Sequence, residues 1–143
     1  MTYLVERLAE LRRHLLHLHA LRERVPDAAA LRNNLSLHND VLFSLLTVAQ
    51  LVIDIAGELA GRKGRRFEDY TEAVRALEAY SEFSPELIDE LALLPGFRNI
   101  IVHEYVSLDL ERAVTALRGL EPVDAFVRIV AGILVEHEGA EEH

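Results

Sequence analysis

The chain has 143 residues, about one domain's worth, and its 15 basic against 24 acidic side chains leave a net charge of −9. Half of the residues are hydrophobic, yet there is no cysteine and no tryptophan, so aliphatic side chains must build the core. These counts exclude a disulfide scaffold, a thiol nucleophile and any cysteine-ligated metal site, and they argue against a protein that coats nucleic acid through its overall charge.

The pattern is helical nearly throughout. From Thr2 to Val25, Leu4, Leu8, Leu11, Leu15 and Leu18 recur in steps of three and four and form one apolar stripe, which predicts a long helix ended by Pro26. Residues 27–38 are ambiguous, Ala-rich and then polar at Asn33-Asn34, and a second long helix begins somewhere within them. It is expected to run to about Ala60, with Gly61 as its stop. A loop with Arg62, Lys63, Arg65 and Arg66 follows, then a shorter helix over Asp69–Tyr80. Ser84-Pro85-Glu86 carries a cap, a first-position proline and a first-turn acid, which predicts a helix start, with the end near Pro95-Gly96. A segment over 97–106 leads to Ser107 and Asp109, either of which can cap a helix over Leu110–Leu120. Pro122 opens the last helix, striped by Val123, Phe126, Val127, Val130 and Leu134. The fold class is therefore all-α, a single helical bundle over residues 1–135 with two long and several shorter helices, followed by an acidic tail over 136–143 that is expected to fray.

Charges are scattered through the first twenty residues, unlike a secretory signal. The most apolar run, Val41–Ile55, is interrupted by Ser44, Thr47, Gln50 and Asp54 and is shorter than the ~20 residues of a membrane span. It reads as a bundle helix buried on most sides, with no membrane partner and the cytoplasm as the expected address.

The most informative stretch is 96–105, Gly-Phe-Arg-Asn-Ile-Ile-Val-His-Glu-Tyr. It sets a guanidinium, an amide, an imidazole and a phenol within eight residues. On an ideal helix Asn99 and His103 share a face, as do Arg98 and Tyr105, whereas Arg98 and His103 diverge by about 140°. Either the segment departs from regular helix near Gly96, or a second copy of the chain completes the site. Histidine can take and return a proton near neutral pH, and arginine can hold a phosphate and offset the charge of its transition state. Asn99 could orient the His103 ring. This set suits metal-free RNA cleavage, in which the ribose 2′-hydroxyl attacks the adjacent phosphodiester.

Three further groups bear on the site. Asp54 stands in an apolar helix, where a carboxylate needs a partner, and Arg98 is the expected one. Arg62, Lys63, Arg65 and Arg66 form the one dense cation patch, open to RNA or an acidic partner, or simply solvated. His14 and His17 can share a helix face, but His19 turns away and no acid joins them, so a solvated or interfacial face is the better reading than a metal site.

Arg98-Asn99, then His103 and Tyr105 match the pattern Arg-Asn, three residues, His, one residue, Tyr, which is similar to the signature of the HEPN superfamily and in particular of HepT-type ribonuclease toxins. The surrounding run at 94–105 resembles the family's core segment, residues 50–56 its central helix, and Phe67-Glu68-Asp69-Tyr70 its following loop. The likeness covers roughly residues 4–134 and is weakest up to about Leu37. It implies a helical bundle that dimerises with the motif at the subunit interface and acts as an endoribonuclease toxin on cellular RNA; no cofactor is expected, since no carboxylate pair or metal-ligand cluster lies beside the motif in sequence. It also implies a nucleotidyltransferase antitoxin of the MntA kind that transfers AMP to the motif tyrosine. Carried over, Arg98 and His103 are catalytic and Tyr105 is the AMPylation target, while Asn99 and Asp54 are the supporting residues read above from the sequence; on the helix face shared with Arg98, a phosphate added to Tyr105 would pair with that guanidinium. Two other classes stay open: a non-catalytic nucleotide-binding helper of a nucleotidyltransferase, and a plain helical interaction module.

Overall fold

The leucine stripe of the first helix, α1 (Thr2–Arg22), is buried from Leu4 to Leu21, and it lies along the longest helix of the chain. A short α2 (Ala28–Arg32) and then α3 (Leu35–Arg62) follow. The structure is a computed structural model; it describes the backbone of residues 2–142 and the side chains of residues 2–136. The ambiguous stretch resolves into two caps: the Asp27 carboxylate accepts from the Ala30 N–H, and the Asn34 side chain accepts from the Leu37 N–H. The Asn33-Asn34 pair thus separates α2 from α3 rather than lying inside either.

α3 is the axis of the bundle. Its Val41, Leu42, Ala49, Val52, Ile55, Ala56 and Leu59 are buried, packed by α1, α6 (Leu94–His103) and α4 (Tyr70–Arg75). At 28 residues it is long and apolar enough to cross a membrane by length and composition, so the expectation that it was too short does not hold; its packing inside the bundle accounts for its apolarity instead. It ends beyond Gly61. Gly64, at φ +70°, takes the left-handed position, with the Arg65 N–H reaching the Ala60 carbonyl at 3.0 Å and the Gly64 N–H the Gly61 carbonyl at 3.0 Å.

Asp69 caps α4 through the Glu72 N–H, and a 3₁₀ turn (Ala76–Ala79) closes what was expected as one helix over 69–80. Ser84 caps α5 (Pro85–Leu91) through the Leu87 N–H, with Pro85 in the first turn as expected. α5 stops four residues short of Pro95-Gly96. That dipeptide instead lies in the first turn of α6, where proline's missing N–H costs no hydrogen bond. Asp109 caps α7 (Leu110–Arg118). The last helix, α8 (Glu121–Glu142), begins one residue before Pro122 and extends into the expected acidic tail. Side chains from residue 137 onward, and His143, lie outside the described residues. Phe126 of α8 is fully buried and packs on Phe83 with ring centroids 5.9 Å apart. Among the described residues there is no strand.

Candidate active site

α6 lies on the surface of α3, burying only Pro95 and Ile101 fully and leaving Asn99, Val102 and His103 exposed. It is regular helix from Leu94 to His103, Gly96 included, so the first of the two alternatives for aligning Arg98 and His103 is removed and their angular divergence stands.

Arg98 is held on three sides. Its Nε–H donates to Gln50 Oε1 at 2.9 Å and its Nη1 to Asn99 Oδ1 at 3.0 Å. The Tyr70 ring centroid lies 5.6 Å from the centre of the guanidinium. Tyr70 comes from the start of α4, which the Asp69 cap fixes, after a loop that folds back along α3. Gly57 permits that return: a Cβ there would lie 3.2 Å from the Phe67 ring. Asp54 does not pair with Arg98 directly. Its Oδ1 accepts from Gln50 Nε2 at 2.8 Å, so an amide stands between the carboxylate and the guanidinium. Asn99 likewise does not orient His103, because its carbonyl oxygen is turned to Arg98. The exposed His103 ring makes no side-chain hydrogen bond among the described residues.

Tyr105 departs from the expected geometry. The helix ends at His103, and Glu104 at φ −128° and ψ 30° turns the chain away. Tyr105 therefore shares no helix face with Arg98. Its hydroxyl donates to Asn39 Oδ1 at 2.8 Å, and its ring meets His38 edge-on at 5.7 Å, both near the N-terminal end of α3. Asn39 and Gln50 are eleven residues apart on that helix, about 16 Å at 1.5 Å per residue. Tyr105 and Arg98 are thus anchored at different positions along α3, and the expected pairing of a Tyr105-linked phosphate with Arg98 on a shared helix face is lost.

The cation loop is partly satisfied within the chain. Arg62 Nε lies 3.7 Å from Glu58, Arg65 lies 3.5 Å from Glu78, and Lys63 Nζ is 4.8 Å from the Tyr80 ring centroid; Arg66 is exposed. The three early histidines part company: His14 meets Ser44 Oγ at 3.1 Å, His17 meets Asp40 at 2.8 Å, and His19 meets both carboxylate oxygens of Asp124 at 2.9 and 3.0 Å.

Sequence reasoning missed Gln50, Tyr70, His38 and Asn39. A polar pair one turn apart in an apolar helix, Gln50 and Asp54, was a readable signal for the first. For His38 and Asn39 there was none, since their partner lies 66 residues away from Asn39.

The sequence profile of the family described as Ribonuclease HepT-like matches residues 6–130. A candidate RNase of Archaeoglobus fulgidus is 37% identical over 84 residues, which is 57% of this chain and 61% of that protein's length. Among solved structures, the tri-AMPylated HEPN toxin of Shewanella oneidensis in complex with its MNT antitoxin superposes with a TM-score of 0.77 at 21% identity, covering 90% of this chain and 96% of that one. A mutant MntA–HpeT toxin–antitoxin complex gives a TM-score of 0.78 at 20% identity, over 92% and 99% of the two chains. These structural likenesses establish a shared helical fold, and the profile match spans most of the sequence: this chain belongs to the HepT-like ribonuclease family.

Proposed function

We propose that the protein is the toxin of a toxin–antitoxin pair, a homodimeric, metal-independent endoribonuclease whose cleft is lined by Arg98 and His103 of both subunits. The observation that carries this reading is the unbroken helix through Gly96: it aims Arg98 and His103 about 140° apart, while His103 is exposed and untied. A two-fold axis at this face brings Arg98 of one protomer towards His103 of the other. The exposed Val102 and Val106 beside the motif supply apolar surface for such a contact.

In the proposed reaction the ribose 2′-oxygen attacks the adjacent phosphorus and its proton passes to the His103 ring. The bond to the 5′-oxygen breaks, and that oxygen takes up a proton from the second ring of the cleft or from water. Arg98 holds the phosphate and offsets the extra negative charge of the transition state. The products are a 2′,3′-cyclic phosphate and a 5′-hydroxyl.

Control is proposed to come from a nucleotidyltransferase antitoxin that transfers AMP from ATP to the Tyr105 oxygen, with pyrophosphate leaving. The named AMPylation of the Shewanella toxin and the antitoxins in both neighbouring complexes support this reading. Adenylate on Tyr105 adds bulk and negative charge beside the cleft and removes the hydroxyl hydrogen now given to Asn39. The Arg62–Arg66 loop, largely engaged by its own neighbours, is assigned no role in this scheme.

The test is cleavage of single-stranded RNA by the purified protein. Arg98→Ala and His103→Ala are each expected to abolish cleavage with an unchanged circular dichroism spectrum, and EDTA is expected to leave the wild type active. Activity lost in EDTA and restored by magnesium or zinc ends the metal-independent mechanism. Nucleotide binding without any RNA cleavage transfers the assignment to a non-catalytic helper.

A further inference from the structure

We propose that Gln50 is a positioning residue for Arg98, and that Asp54 acts through it by fixing which end of the amide faces the guanidinium. The inference rests on the reading of Arg98 as the phosphate-binding group of the site. Its physical basis is a chain of donors and acceptors with only one consistent order. Asp54 is a carboxylate and can only accept, so the Gln50 amide must turn its NH₂ towards it, as the 2.8 Å bond to Asp54 Oδ1 records. The amide oxygen then faces α6, where Arg98 can only donate, and the 2.9 Å bond from Nε follows. Gln50 and Asp54 are one turn apart on the central helix, the most deeply packed element of the fold, so the anchor is rigid.

The residue type matters as much as the contact. A carboxylate at position 50 would bind the guanidinium as an ion pair and compete with a phosphate for its charge. A neutral amide fixes the Nε edge and leaves the cation's charge available, while the Asp54 carboxylate sits a full side chain further back. Asn99 takes one Nη1 hydrogen and Tyr70 flanks the plane, so the Nη2 amine and the second Nη1 hydrogen remain for a ligand. The arginine is thereby oriented before RNA arrives, which removes the cost of ordering a long flexible side chain during the reaction.

The experiment compares wild type, Arg98→Ala, Gln50→Leu, Gln50→Glu, Asp54→Asn and the Gln50→Leu/Asp54→Asn double variant by kcat and KM for RNA cleavage. Thermal melting of each variant, and the exchange rate of the Arg98 Nε–H proton by NMR, are measured alongside. Gln50→Leu is expected to lower kcat/KM on the order of ten- to a hundredfold, to leave melting within a few degrees, and to speed exchange at Arg98 Nε. Gln50→Glu is expected to keep that proton protected yet raise KM, because the new charge competes with phosphate; a merely structural acceptor would give wild-type kinetics. Asp54→Asn is expected to cost several-fold alone and nothing further in the Gln50→Leu background, since its effect passes through the amide. Full activity in Gln50→Leu with Arg98→Ala inactive, or losses that multiply in the double variant, overturns the positioning role and leaves the ribonuclease reading intact. Wild-type activity in Arg98→Ala overturns both.

Discussion

Tyr105 lies just beyond the end of a helix, and its surroundings decide what can happen to it. It is partly exposed, its hydroxyl is tied among the described residues to Asn39, and the His38 ring meets its ring edge-on from the first turns of α3. Losing that one hydrogen bond costs about 1 kcal/mol or less at a half-exposed site. Tyr105→Phe is therefore expected to fold and cleave RNA as the wild type does, while an antitoxin with ATP adds adenylate-sized mass to the wild type and none to the variant. Mass spectrometry of the two chains after incubation checks this, and modification mapped to Tyr70 or Tyr80 contradicts it. Tyr80 is in any case poorly suited. It is buried, and its hydroxyl donates to the Leu59 carbonyl at 2.7 Å.

At the scale of elements, two hydrogen bonds bracket α4 and the 3₁₀ turn that follows it. The first is the Tyr80–Leu59 bond. Burial pushes the Tyr80 phenol above its ordinary value near 10, against the opposing pull of Arg62 and with smaller help from Glu82 and Glu58. A group whose folded pKa is raised contributes stability that is complete below the unfolded value and is lost as pH rises through the folded one. The wild type is thus expected to lose stability above about pH 10, and Tyr80→Phe to lose that alkaline component while being about 1 kcal/mol less stable at pH 7. Denaturant melts at pH 7, 9 and 11 read both effects. The second contact is the Asp69 cap. Asp69→Ala is expected to cost about 1 kcal/mol and, because α4 begins with Tyr70 beside Arg98, to weaken RNA cleavage as well. A variant destabilised by that amount with unaltered KM and kcat breaks the link from cap to site.

At the scale of the whole molecule, the proposed site, split between two faces of one helix, predicts a second chain. Wild-type protein at micromolar concentration is expected to sediment as a dimer. Arg98→Ala and His103→Ala chains, each inactive alone, are expected to recover activity when unfolded and refolded together. Half of the dimers are then mixed, and each mixed dimer carries one intact Arg98–His103 pair across the axis, so roughly a quarter of wild-type activity returns. No recovery in mixtures shown to contain mixed dimers contradicts a working site made of one Arg98 and one His103 from opposite chains. The core that supports either arrangement is aliphatic and continuous, and Phe126→Ala, at a fully buried ring, is expected to cost about 3–5 kcal/mol in a urea melt.

Periodicity and capping chemistry determined most of the fold. The leucine stripe of α1, the Ser84-Pro85 start and the Asp109 option could be read in the sequence because each depends on residues within one or two turns. So could the Arg98-Asn99, His103 and Tyr105 motif, since its family pattern is contiguous. Where sequence reasoning slipped, two local signals competed. Gly61 was expected as the stop of α3, and the hydrogen bonds from 64 and 65 back to 61 and 60 put the turn at Gly64 instead. Pro95-Gly96 could end one helix or begin another, and packing of α6 on α3 makes it a beginning. Tertiary structure alone decided how the site is wired. Arg98 meets Gln50 across 48 residues and Tyr105 meets Asn39 across 66, and no local pattern encodes a partner at that distance. The identity of the proposed reactive groups is a property of the chain. Their orientation comes from the long central helix, which holds Arg98 at Gln50 near its middle and Tyr105 at Asn39 near its start.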